Sequence, residues 1–422
     1  MEQVKLFPRY LGSLLLRVLA AILAGTLLLS AACLIPSAAM DRNLQRSAGV
    51  FEAEGIYPDL SPWCTSQLDS TTDALILLIS ACDSGESPII QAMRGTRNTL
   101  SSVEAASDEL AAHYGDGIPF DGSEPYYQYW HGYQLIIRPL LSVLDYSGIR
   151  LLNGIVQTGL LVLLCLLLYR SGMARYILPY LAAVAMLMLP ALAMSLQFSS
   201  CYYILTLGSL AVLWKKDSLD RLDGLLFLYI GIATAYFDFL TYPVATLGIP
   251  AVFYFSIRKG DDIRNTFCRG VKICFSWAVG YAGMWSGKWL IGSLILNQNI
   301  LSVAAGKLTE RSSADAGLIG NIRAALSANL RSFLHTPATL VVLVLAAVLL
   351  VPAVRRIVRK ETSLKQSAVI LFPFVILALL PIAWYLVTAQ HAVIHHWFTN
   401  KALMVSVFAG LSALAKIAKP MK

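Results

Sequence analysis

Apolar runs long enough to carry an α-helix across a bilayer constrain this chain more than any other feature. A crossing takes about 17 to 25 predominantly apolar residues, because a helix rises about 1.5 Å per residue through roughly 30 Å of hydrocarbon. Such runs lie at 11–34, 149–169, 174–194, 198–214, 224–241, 243–257, 271–291, 338–354, 366–387 and 398–415. Of the 422 residues, 57% are hydrophobic and 14% charged, against roughly half and a quarter in soluble domains. That excludes an ordinary cytosolic enzyme, and the same apolar content excludes a disordered chain. The expected fold is an all-α polytopic membrane protein, a single membrane domain over 1–422 with about ten transmembrane helices. The least certain divisions are the pairs of runs around Pro190 to Ser199 and around Asp238 to Pro243, either of which also reads as a tight re-entrant bend.

The basic residues set the expected orientation, since they favour cytoplasmic loops. With the N-terminus inside, the cytoplasmic segments carry 20 basic and 7 acidic residues and the outer segments 12 and 18, with Arg17 inside the first helix. The net charge of +8 is then a topology signal, and no nucleic-acid partner is expected. Both termini are expected in the cytoplasm and the protein in a cell membrane, of the bacterial inner or plasma type. Lys5 and Arg9 precede the first run and Ser37, Ala38 and Ala39 follow it, as in a signal peptide. The run exceeds a usual signal core, so an uncleaved anchor is expected.

Two outer loops, 36–147 and 292–336, are too long to be turns, and loops of that length are usually functional. In the first, Ser70-Thr-Thr-Asp73 followed by the apolar stretch 74–81 predicts a capped surface helix, and a second helix is predicted over 101–112. Tyr126, Tyr127, Tyr129 and Trp130 then form an aromatic cluster suited to a membrane interface. Cys64 and Cys82 share this polar stretch and read equally as a bridge or as two free thiols.

Phosphate-binding loops, His-Glu-x-x-His, Gly-x-Ser-x-Gly and paired Cys-x-x-Cys motifs are absent, so energy for any chemistry must arrive in the substrate. The conspicuous polar residues all fall on the expected outer surface. Asp69 and Asp73 lie four apart, on one face of the helix they begin, and either cap it or act as a base. Trp130, His131, Tyr133 and Arg138 follow near the second run. Arg138 reads equally as a phosphate ligand and as a residue snorkelling to headgroups. Asp238, between Phe237 and Phe239, is costly at membrane depth and points to a polar cavity or partner. Lys288, His391, His395 and His396 complete the set. His391 and His395 have helical spacing but no cysteine or second acid nearby, so no metal and no other cofactor is expected; contact with a phosphate or sugar hydroxyl suits them better.

The order of parts, one helix, a large acidic outer loop with surface helices, then a bundle, resembles the C-type (GT-C) glycosyltransferase superfamily of membrane enzymes. Asp69 and Asp73, in Leu-Asp-Ser-Thr-Thr-Asp-Ala, match the family's first-loop acid by position. The resemblance implies a polyprenyl-phosphate sugar as donor, a glycan, lipid or protein as acceptor and inverting transfer on the outer face. It implies Asp69 or Asp73 as the base, and Arg138, Lys288 and His391 or His395 around the phosphate. Tyr126, Tyr127, Trp130 and His131 would line sugar subsites, with Asp238 and Tyr242 deeper. The alternative expectation is a transporter or flippase for a lipid-linked or anionic saccharide, with the same charges along a midplane pathway; the long first loop, the polar residues at helix ends and the lack of repeats speak against it.

Overall fold

The computed structural model describes residues 2–258, 262–312 and 317–418. Along the chain, α1 (Glu2–Ala32) is followed by the elements of 36–147: α2 (Ala38–Glu54), α3 (Ser70–Ala81), α4 (Pro88–Arg94), β1 (Arg97–Thr99), α5 (Ala106–Tyr114), β2 (Gly122–Glu124) and α6 (Gln134–Leu141). Next come α7 (Tyr146–Arg170), α8 (Ile177–Ala185), α9 (Leu189–Met194), α10 (Leu196–Trp214), α11 (Leu219–Phe237), α12 (Val244–Ile257) and α13 (Ile263–Leu296). The stretch expected as a second loop holds α14 (Ile300–Ser312) and α15 (Gly317–Leu334). The chain closes with α16 (Pro337–Val358), α17 (Leu364–Val387), α18 (Ala389–Ile394), α19 (His396–Thr399) and α20 (Met404–Ala418). β1 and β2 pair antiparallel, with Asn98 opposite Ser123.

The apolar runs are largely helical. Among the described residues six helices are long and apolar enough to span a membrane: Pro8–Ala32, Tyr146–Arg170, Leu196–Trp214, Pro337–Val358, Leu364–Val387 and His396–Ala418. The run 174–194 is broken because Met188 takes a left-handed φ of 55° and Pro190 restarts the chain as α9. α12 has 14 residues, about 21 Å of helix, short of the roughly 30 Å of a hydrocarbon core. α13 has 34 residues but buries a lysine.

Apolar surface marks which helices meet lipid. Leu340, Val344, Val348 and Val351 of α16 are 67%, 55%, 60% and 59% exposed, a ridge that water would not tolerate bare and that hydrocarbon covers. α10 and α20 lie inside, where Phe198, Tyr202, Phe408 and Met404 join the main core. α1 is integral to the bundle, with Leu14 and Leu29 fully buried. α11 and α13 touch at backbone distance, because a β-carbon at Gly231 would overlap the Trp277 carbonyl and one at Gly280 the Leu228 carbonyl. Small residues permit such close crossings.

The segment 36–147 packs as a lobe with its own core of Leu44, Phe51, Leu77, Leu110, Leu141 and Tyr146. It is therefore a folded layer rather than a loop. The cap of α3 is Asp69, one residue before the predicted Ser70. Cys64 and Cys82 are free thiols. Cys64 lies 3.5 Å from His396 Nδ1, whereas the Cys82 thiol donates to Asn98 Oδ1 at 3.6 Å.

Candidate functional site

Asp69 and Asp73 do not share a face. Asp69 is the N-cap, with φ −129° outside helical geometry, so the spacing rule that aligns residues four apart on a helix does not govern it. Asp73 is inside the first turn and has a different set of partners. It accepts from the Tyr146 hydroxyl at 2.6 Å and from the Leu196 and Gln197 amides at 2.8 and 3.0 Å. Those amides are the unsatisfied donors that begin α10, and a carboxylate there is favoured by the exposed N–H groups and the helix dipole. Asp73 is thus a structural tie between α3, α7 and α10.

Asp69 borders a cavity of about 280 Å³. Thr72 joins it from α3, Tyr126 and Tyr129 from the lobe, Gln197 from α10, Phe239 from the α11–α12 link, and Gln390, His391, His395 and Phe398 from the α18–α19 region. Asp69 accepts the Thr72 amide at 2.8 Å and is 4% exposed. Burial pushes its carboxyl up to about 6, with the nearby Asp73 charge adding to the rise and the Thr72 hydrogen bonds opposing it. A carboxylate tuned to that range takes a proton readily near neutral pH.

His391, which lines the same cavity as Asp69, donates from Nε2 to the Leu240 carbonyl at 2.9 Å. That bond fixes the tautomer, so in the neutral ring Nδ1 carries the lone pair. The His391 and His395 ring centroids are 4.7 Å apart. Leu240 holds a left-handed φ of 66°, a strained conformation for a bulky residue that costs roughly 1 to 3 kcal/mol. The strain turns the link so that Phe239 reaches the cavity while the Leu240 carbonyl meets His391. Gln197 is 4% exposed, and its Oε1 has no hydrogen-bond partner. The wall therefore offers a carboxylate, an open acceptor, two imidazoles and several ring faces.

The remaining expected residues serve the fold. His131 takes a left-handed φ of 58°; its Nε2 donates to the Tyr126 carbonyl at 2.5 Å and its Nδ1 accepts from the Tyr133 hydroxyl at 3.0 Å. Burial, helped by the Lys288 charge, pushes His131 down to about 3, so the ring is neutral and positions Tyr126 without binding an anion. Trp130 is buried and donates to the Met284 carbonyl at 2.7 Å. Tyr127 packs against the core of α1 and α13. Lys288, fully buried, donates to the Ala92 and Met93 carbonyls at 3.2 and 2.9 Å, closing the C-terminal turn of α4, where a cation is favoured. Arg138 is 1% exposed and donates to the Ile35 carbonyl at 2.6 Å. Asp238 accepts from the Thr241 amide at 3.1 Å and from the Thr241 hydroxyl, ordering the α11–α12 link. The Tyr242 hydroxyl donates to the Phe198 carbonyl at 2.7 Å. None of these lines the cavity.

Asp69, Tyr126, His391 and His395 are thus the sequence candidates that the fold gathers. Gln197, Gln390, Phe239 and Phe398 were missed. Gln197 and Gln390 left a faint signal as amides at the edges of apolar runs, but Phe239 and Phe398 are indistinguishable from core residues by sequence. Among the described residues no three His, Cys, Asp or Glu side chains gather to hold a metal ion. Compared with protein-family models, curated proteins and solved structures, the chain has no significant match.

Proposed function

We propose that this membrane protein is a glycosyltransferase that moves a sugar from a polyprenyl-phosphate donor to a cell-envelope acceptor on the outer face, with Asp69 as general base. The observation that carries the reading is the cavity that Asp69, buried and among the described residues hydrogen-bonded only to Thr72, lines together with Tyr126, Tyr129, His391 and His395. Aromatic faces suit sugar rings, and the open Gln197 Oε1 suits a hydroxyl donor.

In this mechanism the acceptor hydroxyl attacks the anomeric carbon as Asp69 takes its proton, and the bond from that carbon to the phosphate oxygen breaks. The electron pair leaves with the lipid phosphate, so configuration inverts. His395, and His391 once protonation places a hydrogen on its Nδ1 as well, can donate hydrogen bonds to the departing phosphate from the cavity wall. Arg138 and Lys288 lie outside the cavity lining and have no part in it.

Membrane vesicles supplied with radiolabelled polyprenyl-phosphate sugars test the proposal. Label is expected in product with the wild type and lost with Asp69→Asn, while insertion is unchanged. Movement of intact donor across the bilayer without covalent change would instead establish the flippase reading, and full turnover in Asp69→Asn would remove Asp69 as the base.

A further inference from the structure

A second hollow, of about 1130 Å³, opens on the flank of the bundle between α2, α7 and α9 and shares no lining residue with the Asp69 cavity. Its polarity is graded along α7. Arg46 is next in sequence to Ser47, whose Oγ accepts the Tyr146 amide at the start of α7; Glu54 and Arg150 pair about one turn further along α7, and Leu151 and Ile155 lead from there toward Thr158. The step from Arg150 to Thr158 is about 12 Å of helix, which fits within one leaflet, roughly 15 Å of a 30 Å core. The charged end lies at the first turns of the apolar span Tyr146–Arg170, where headgroups sit, and the apolar part runs inward. Leu151 and Ile155 are 67% and 62% exposed, a surface suited to an alkyl chain.

Charge selects the headgroup. Arg150 is paired with Glu54 at 2.5 Å, which leaves that pair neutral, and the Arg150 Nε is buried without a partner. Arg46 is exposed and has no carboxylate partner among the described residues. The groove therefore carries one uncompensated positive charge above an apolar wall. We propose that it holds an anionic phospholipid, with the phosphate against Arg46 and one acyl chain lying along α7 toward Thr158. Bound there, the lipid secures the chain of contacts from Glu54 through Arg150 and Tyr146 to Asp73. The occupant is a structural lipid and not the sugar donor, because the groove meets the turn of Asp69 only through protein, where the Ser70 hydroxyl donates to Glu54 at 3.1 Å. The proposal is independent of the glycosyltransferase reading.

Native mass spectrometry of the purified full-length protein, after addition of phosphatidylglycerol, phosphatidylcholine or a polyprenyl phosphate, tests it. Phosphatidylglycerol should be retained about fivefold more than phosphatidylcholine, from one basic side chain at a membrane surface, and it alone should raise the unfolding temperature. Arg46→Ala removes no described contact, so it should fold normally and lose the preference. Leu151→Trp fills the groove and should lower retention of both phospholipids. Equal retention of the two by the wild type, or a preference that survives Arg46→Ala, would overturn the proposal. So would displacement of phosphatidylglycerol by an equimolar polyprenyl phosphate, which would make the groove a donor site.

Discussion

The Asp69 cavity and the Asp73–Tyr146–Arg150–Glu54 network are built on the same turn of α3, yet they treat buried charge in opposite ways. In the network the Asp73 oxygens meet a hydroxyl and two amides, and the terminal nitrogens of Arg150 meet Glu54 and the Tyr146 hydroxyl. In the cavity, among the described residues, Asp69 accepts from Thr72 alone and Gln197 Oε1 from none. A buried polar atom without a partner costs about 1 to 3 kcal/mol, which packing alone gives no reason to retain. Unused hydrogen-bonding capacity, and not the mere presence of an acid, therefore separates a carboxylate open to a ligand from one that holds helices together.

The sharpest break of this comparison is Asp69→Asn. It keeps the N-cap, since asparagine caps as well as aspartate, but removes the base, so transfer in vesicles should fall by about 10² to 10⁴ with the unfolding temperature little changed. Asp73→Ala should do the reverse to the fold. It strips the α10 amides and Tyr146 of their acceptor and leaves Arg150 less compensated, and the loss of about 3 kcal/mol should appear in denaturant or thermal unfolding of the purified protein.

pH sharpens the contrast further. Burial raises Asp69 to about 6 from an ordinary value near 4. Between about pH 4 and pH 6 the native state keeps a proton that the unfolded chain has released, so stability falls as pH rises through that window and levels off above it. Asp69→Asn should flatten this part of the stability profile, while wild-type transfer should rise with pH around 6 as the base ionises. The smallest effect belongs to His391→Phe, which deletes one hydrogen bond to the Leu240 carbonyl. Stability should drop by about 1 kcal/mol, read from the same unfolding curves.

Periodicity and apolar length made the helices legible. The runs at 149–169, 198–214, 338–354 and 366–387 each lie within one long helix, and 11–34 overruns α1 by two residues; a bilayer demands that backbone groups be satisfied within the segment. The break at Met188 was not legible, since a left-handed φ at a methionine is imposed by surrounding contacts and has no residue signature. The lobe over 36–147 was underread for a related reason. The prediction over 70–81 coincides with α3 and that over 101–112 overlaps α5, whereas α2, α4 and α6 carry mixed polarity that resolves into buried and exposed faces only when they pack.

At the site, residue chemistry alone named Asp69, Tyr126, His391 and His395 as costly or unusual where they stand. It had no means of parting Asp69 from Asp73, because that depends on which side of a helix cap each falls and on α10 bringing its free amides to one of them. It equally gave no sign that Arg138 and Lys288 lie outside the cavity and donate to carbonyls of distant segments. The sequence by itself determined a helical chain for hydrocarbon, since apolar length and periodicity are local properties. Only tertiary structure decided which polar atoms keep a hydrogen-bonding position open, because their partners come from anywhere along the chain.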